Sequence, residues 1–159
     1  MREGKITIFA AIDHYTAECL GIHAAARADR FEALEPPRIT VKERFGSFSR
    51  DAAAGILLRH DNGSVFVSDD FQNEIEFLGM ESSPSFVRQP QGNGCIERLF
   101  RSLRVQVLWI EPFTTAEQVR EAVISFRNNY NSQWLIGRLG YETPAQARSE
   151  FPLELAKAA

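Results

Sequence analysis

At 159 residues, 44% hydrophobic and 25% charged, the chain is long enough for one domain with a real core and is ordinary for a soluble globular protein. This balance argues against a disordered chain and a membrane protein: the one early apolar run, Ile6 to Ile12, ends at Asp13, too short for a membrane span and without a signal-peptide cleavage pattern. A net charge of −3 argues against gripping DNA by bulk electrostatics, so nucleic-acid contact needs a local basic stripe or a domain outside this chain. Two isolated cysteines, Cys19 and Cys95, make neither a disulfide framework nor a zinc site, and a reducing, cytoplasmic setting is the default.

Lys5 to Ile12 is β-branched and apolar and predicts a buried strand. A turn at His14 to Thr16 leads to a second strand, Glu18 to Ala24, so the two form a hairpin. Asp29 to Leu34 is helix-like until Pro36-Pro37, which a helix interior should not tolerate, and Arg38 to Phe45 is a second helical piece. Ser47 to Gly55 is loop or frayed helix end. Ile56 to Leu58 is a short apolar run, and the Asn62-Gly63 turn signal puts Asp61 at or just past its C-terminal end. Ser68 is a good N-cap for a helix over Asp69 to Leu78, with Asp69 and Asp70 in the first turn and Gly79 as its cap. Met80 to Phe86 predicts a weak edge strand, followed by a loop over Arg88 to Gly94 that holds two glycines and a proline.

A long amphipathic helix is expected from Cys95 to Trp109, with Ile96, Leu99, Phe100, Leu103 and Val107 on one buried face. Thr115 and Gln118 fit a capping box for a further helix, whose apolar side is Val119, Val123, Phe126 and Tyr130. Thr143-Pro144 opens a short terminal helix. Strands first, then alternating with helices, predict a single α/β domain over residues 1–159 with a mixed sheet.

Asp61 at a strand end and Glu97 in the first turn of a helix are separated by residues 62 to 96. Two carboxylates from different elements can converge on magnesium, a hard cation that prefers oxygen. Two such ions, about 3.5–4 Å apart, can clamp the attacking and leaving oxygens of a phosphodiester displacement. The same two residues also read as a turn residue and a helix-dipole acid. Arg101 and Arg104 follow Glu97 at i+4 and i+7, on one helix face that is either solvated or faces phosphate.

The segments His60-Asp61-Asn62-Gly63-Ser64 with Phe66, Pro90-Gln91-Gly92-Asn93-Gly94 leading to Glu97-Arg98-Leu99-Phe100 and Leu103-Arg104, then Tyr130-Asn131 and Leu139 to Ala147, resemble the integrase core of bacterial insertion-sequence transposases and retroviral integrases. The resemblance covers about Lys5 to Glu150. It implies a ribonuclease-H-like mixed sheet flanked by helices, with Asp61 and Glu97 as the second and third acids of a DDE triad holding Mg2+ or Mn2+. It further implies DNA contacts by Arg104, Arg101, Asn62, Gln91 and Asn93, and DNA integration by cleavage and strand transfer. The family's first aspartate sits on the first, central strand, within Trp-x-x-Asp-x-Thr, and no such segment occurs here, so Met1 is expected to start after that strand. Asp13 is the substitute acid to weigh, against its reading as a turn acid. His60 is read as a strand-end residue rather than a ligand. Ser132 to Ile136 departs from the family's Arg-Pro-His stretch.

The expectation is an inactive transposase fragment; an active nuclease using Asp13 and a non-enzymatic partner of full-length transposase or DNA are the alternatives. Homo-oligomers or pairing with full-length transposase are the expected assemblies, with no membrane contact.

Overall fold

The computed structural model describes residues 4–85, 94–110 and 112–151. In chain order it holds β1 (Thr7–Ile12), β2 (Cys19–Ala25), α1 (Arg30–Phe45), β3 (Leu57–His60), α2 (Asp69–Phe77), β4 (Glu81–Pro84) and α3 (Gly94–Leu103). A π-helical segment (Arg104–Leu108), α4 (Ala116–Gln133), a 3-10 turn (Gly137–Leu139) and α5 (Pro144–Glu150) complete it.

The predicted hairpin forms: β1 pairs antiparallel with β2 from Thr7 opposite Ala25 to Ile12 opposite Cys19, with a register shift between Ala11 and Ile12. Hydrogen bonds from the far end of the chain hold that irregularity. Asn131 accepts from the Cys19 N–H and donates to the Cys19 carbonyl, both at 2.9 Å, and Arg127 Nε donates to the same carbonyl at 3.0 Å. The Cys19 N–H and C=O, at the first residue of β2, are thereby both met by one side-chain amide.

The strands do not join into the one mixed sheet that was expected. Among the described residues, β1 and β2 form one two-stranded sheet, while β3 and β4 form a second, parallel one, registered from Leu57 opposite Glu81 to His60 opposite Pro84. Two cores follow from this division. Ile8, Ala10 and Ile12 turn to one face of the hairpin, where they meet Leu99 and Leu103 of α3 and Val119, Val123, Phe126 and Tyr130 of α4. Phe9, at the alternate position, turns to the other face and joins Leu34 and Val41 of α1, Phe71 and Ile75 of α2, and Leu58 of β3.

α1 departs from expectation as well. It runs unbroken through Pro36 and Pro37, started by Asp29, which accepts from the Phe31 and Glu32 N–H groups, and stopped by Gly46 at φ 78°. The two prolines withhold the bonds that the Glu32 and Ala33 carbonyls would accept, a local cost of up to about 3 kcal/mol each. Both prolines are buried, and Pro36 rests on Gly21 of β2 so closely that an added Cβ would stand 2.4 Å from the Pro36 carbonyl oxygen. Packing against the sheet outweighs the propensity rule that predicts two helices. Thr40 Oγ1 donates to the Pro36 carbonyl at 2.8 Å.

The helix expected to reach Trp109 is α-helical only to Leu103; the Trp109 N–H bonds back to the Arg104 carbonyl at 3.0 Å, a π-type span. α4 and α5 begin where expected, each with a complete capping box, Thr115 with Gln118 and Thr143 with Gln146. No helix among the described residues is long and apolar enough to cross a membrane.

Candidate functional site

Asp61 is the first residue after β3 and is exposed, as the Asn-Gly turn signal requires. Its Oδ1 accepts from the Gly63 N–H at 2.7 Å, closing a tight local turn. The backbone beneath it is fixed from inside. His60 is buried, stacks on Phe66 with ring centroids 5.8 Å apart, and meets Phe71 edge-on. Its Nδ1 lies 2.7 Å from the Asp61 carbonyl and its Nε2 2.8 Å from Ser82 Oγ on β4. With the carbonyl as acceptor, Nδ1 carries the proton in that contact. His60 thus supports the backbone at Asp61 from inside the core.

Asn62 turns its amide to the Ser85 carbonyl at 2.9 Å, and the Ser85 N–H reaches the His60 carbonyl at 2.7 Å. These bonds tie the C-terminal ends of β3 and β4 together. They also occupy the Asn62 side chain, which the resemblance assigned to DNA.

Glu97 stands exposed in the first turn of α3, where the helix dipole favours a carboxylate. The helix is anchored below by fully buried Leu99 and Leu103 against the β1–β2 sheet. Arg101 and Arg104 are exposed and form no ion pair with another described residue. The helix is α-helical from Glu97 to Leu103, so Glu97 and Arg101 share a face as predicted, and Arg104 opens the π segment directly beyond. Gln91 and Asn93 lie outside the described residues.

Asp13 is engaged in its own turn. Its Oδ1 accepts from the Tyr15 N–H at 2.7 Å and its N–H donates to the Glu18 carbonyl at 2.9 Å. Arg138, which no sequence signal singled out, clamps this turn: it donates to the carbonyls of His14 at 2.9 Å and Tyr15 at 3.1 Å, and lies 3.6 Å from Cys95 Sγ. One guanidinium thus links the β1–β2 turn to the start of the Glu97 helix. Burial first, and then Arg59 and Arg138, hold the His14 imidazole below its usual pKa against an opposing pull from Asp13. Arg59 of β3 and Arg138 therefore converge on this turn, a local basic spot in a chain of net charge −3.

As a place for a divalent cation, the arrangement fits in part. Asp61 uses one carboxylate oxygen in its turn and keeps the other available, and Glu97 pairs with no described residue. Both are hard oxygen donors. Among the described residues, no group of three His, Cys, Asp or Glu side chains stands close enough to hold a metal ion.

Residues 78–144 match the family described as integrase core domain, a stretch that includes Glu97, Arg101 and Arg104 and ends before it reaches back to Asp61. The chain is 26% identical over 91 residues to the transposase for insertion sequence element IS904 of Lactococcus lactis, covering 57% of this chain and 36% of the relative. It is 27% identical over 110 residues to the putative transposase InsD for insertion element IS2E of Escherichia coli K12, covering 67% of this chain and 48% of the relative. The chain thus spans between about a third and a half of the relatives' length. The fold matches the catalytic core domain of BIV integrase, with a TM-score of 0.65 at 19% identity over 96% of this chain and 90% of that one. It also matches a chain of the simian T-cell lymphotropic virus intasome, with a TM-score of 0.66 at 16% identity over 94% of this chain and 54% of that one. The HTLV-2 integrase catalytic core in complex with magnesium aligns with a TM-score of 0.58 at 13% identity over 88% and 93%. The chain is thus similar in sequence to insertion-sequence transposases, and it shares the fold of integrase catalytic cores.

Proposed function

We propose that this chain is the catalytic-core part of a DDE-type transposase, in which Asp61 and Glu97 serve as two of the acids that hold the divalent cations of DNA strand transfer. The observation that carries this reading is the pair itself. Both are exposed carboxylates without an ion-pair partner among the described residues, one at a strand end and one at a helix start, within a chain similar to integrase cores.

Bound Mg2+ or Mn2+ would activate the nucleophile and stabilise the leaving oxygen of an in-line phosphodiester displacement. The chain's own share is positioning. The Gly63 N–H orients one oxygen of the exposed Asp61 carboxylate. The His60 imidazole holds the carbonyl of the same residue. Arg101 and Arg104 extend from Glu97 along the helix as phosphate contacts, a job suited to guanidinium forks. DNA is the proposed substrate, and self-association or pairing with full-length transposase the proposed assembly.

The test is Mn2+ titration followed by paramagnetic broadening of backbone resonances, beside the Glu97→Gln variant. Broadening centred jointly on Asp61 and Glu97, and lost in the variant, is the expected result. Broadening at neither residue, or an unchanged pattern in Glu97→Gln, would remove the proposed site. With two acids in place of three, DNA nicking by this chain alone should not exceed the Glu97→Gln background.

A further inference from the structure

Glu97 sits at the least secured part of its helix. The opening turn of an α-helix has no intrahelical partner for its first N–H groups, so its position depends on what holds it from outside. The fully buried anchors of α3, Leu99 and Leu103, both come after the acid. Before it, Ile96 packs against the core, and half-buried Cys95 meets Arg138, whose Nη2 lies 3.6 Å from the thiol sulfur. Cys95 precedes Glu97 by about 3 Å along the helix axis, so whatever fixes Cys95 also fixes the acid.

Arg138 is itself presented rigidly. It stands on the 3-10 turn Gly137–Leu139, inside a loop that closes on its own backbone. The Ile136 N–H donates to the Glu142 carbonyl at 3.0 Å, and the Leu139 and Tyr141 N–H groups donate back to the Ile136 carbonyl at 2.9 and 3.1 Å. Ile136 is buried, and Leu139 packs against the same core as α3. From this base Nη2 donates to the His14 carbonyl at 2.9 Å as well as approaching Cys95, and Nη1 donates to the Tyr15 carbonyl at 3.1 Å. The β1–β2 turn that offers those carbonyls is closed in turn by Asp13, which accepts from the Tyr15 N–H at 2.7 Å. Arg138 forms no ion pair with another described residue, so its fork serves the clamp alone. A planar guanidinium with five donors spans three such partners, and the point charge of a lysine does not.

We infer that Arg138 is a positioning residue for Glu97: its guanidinium ties the first turn of α3 to the β1–β2 turn and holds the carboxylate at a fixed place on the hairpin. This role rests on the reading of Asp61 and Glu97 as metal-binding acids. With Glu97 held in this way, what remains adjustable in its distance to Asp61 is the seam between the two cores.

Mn2+ titration of the full chain, followed by paramagnetic broadening, compares the parent with Arg138→Ala, Arg138→Lys and Arg120→Ala. Arg120 is the matched control: it also donates to a carbonyl of the hairpin, that of Ala24 at 3.0 Å, but from α4 and at the open end of the hairpin. Losing a group that orients a metal ligand weakens the metal by about tenfold or more. Broadening at Glu97 should therefore need about tenfold more Mn2+ in Arg138→Ala and in Arg138→Lys, and the parent amount in Arg120→Ala. In the metal-free chain, amide exchange over residues 98–101 should quicken about fivefold in Arg138→Ala, with α4 unchanged. No joint broadening in the parent would remove the metal reading, and this role with it. Joint broadening in the parent that Arg138→Ala leaves unchanged would overturn the role of Arg138 alone. Three other results would do the same: full affinity in Arg138→Lys, which makes charge the cause; an equal loss in Arg120→Ala, which makes it a general loosening of the hairpin; and unchanged exchange over residues 98–101 in Arg138→Ala.

Discussion

Replacing Gly21 by alanine tests the contact that makes the proline-containing helix possible. Its φ is not left-handed, so an alanine there carries no backbone penalty and the whole effect is steric. The new Cβ would sit 2.4 Å from the Pro36 carbonyl oxygen, 2.9 Å from its Cα and 3.0 Å from its carbonyl carbon. All three are backbone atoms of a helix that cannot swing aside as a flexible side chain would. Overpacking of this kind costs about 1–3 kcal/mol, and contact with backbone argues for the upper end. At a urea slope of about 2 kcal/mol per molar, the unfolding midpoint should fall by ~1.5 M. Gly94→Ala is the matched control: nothing lies within 4 Å of its added Cβ and the residue opens α3, so it should be neutral or stabilise by up to about 1 kcal/mol. Equal midpoints for Gly21→Ala and the parent, within about 0.3 M, would refute the packing account of α1.

Two further perturbations follow from buried charge and buried acids. Glu18 is 7% exposed and its carboxylate pairs with Arg44 of α1. Arg44→Ala leaves that carboxylate buried without its main counter-charge, with Arg148 only at 4.0 Å, and should cost about 3 kcal/mol in a urea melt; Arg44→Ala with Glu18→Gln should recover most of it, and a double variant no better than the single would refute the pairing. Burial pushes the Cys19 thiol from 9.0 and the Tyr130 phenol from 10.0 up to about 12 each, so the fold favours both protonated forms. Raised folded pKa values mean a contribution that is complete below the ordinary values and lost as pH climbs through them towards 12. The urea midpoint should therefore drop between about pH 8 and about pH 11, and the drop should flatten in Cys19→Ala with Tyr130→Phe; an unchanged alkaline slope in that variant would show that other groups govern it.

The elements legible in the sequence are those whose signals are local. α4 and α5 carry complete capping boxes, and the apolar positions Val119, Val123, Phe126 and Tyr130 all point inward. Asn62-Gly63 placed Asp61 at the strand end, and Ser68 placed the start of α2. What the sequence hid is decided by distant partners. Pro36-Pro37 looks like a break until Gly21, on another element, is seen to accept it. The switch to a π segment at Arg104 has no residue-level marker, since Pro and Gly are both absent there. Arg138 lies just beyond the Ser132–Ile136 stretch that departs from the family pattern, and only the folded chain brings it to His14, Tyr15 and Cys95.

The division into two sheets bears directly on the candidate site. Asp61 follows β3 and is supported by His60, Phe66 and Phe71, on the side of the core built from α1 and α2. Glu97 rides on α3, which is packed into the other core against β1, β2 and α4. The separation of the two carboxylates is therefore set by how rigidly one core is held to the other, and not by either local environment. Contacts among the described residues that join them include α1 resting on β2 at Gly21, the His23–Glu32 contact at 2.6 Å, the Arg127–Glu43 and Arg44–Glu18 pairs, and the Phe9–Phe66 edge. Geometry good enough to share a divalent cation tolerates shifts of only about half an ångström. A cation bound jointly by Asp61 and Glu97 must then respond to changes at Gly21, on the opposite side of the sheet from α3, as strongly as to changes beside either acid. The acids are present at their element ends, and what fixes the distance between them is the stiffness of the seam between the two cores.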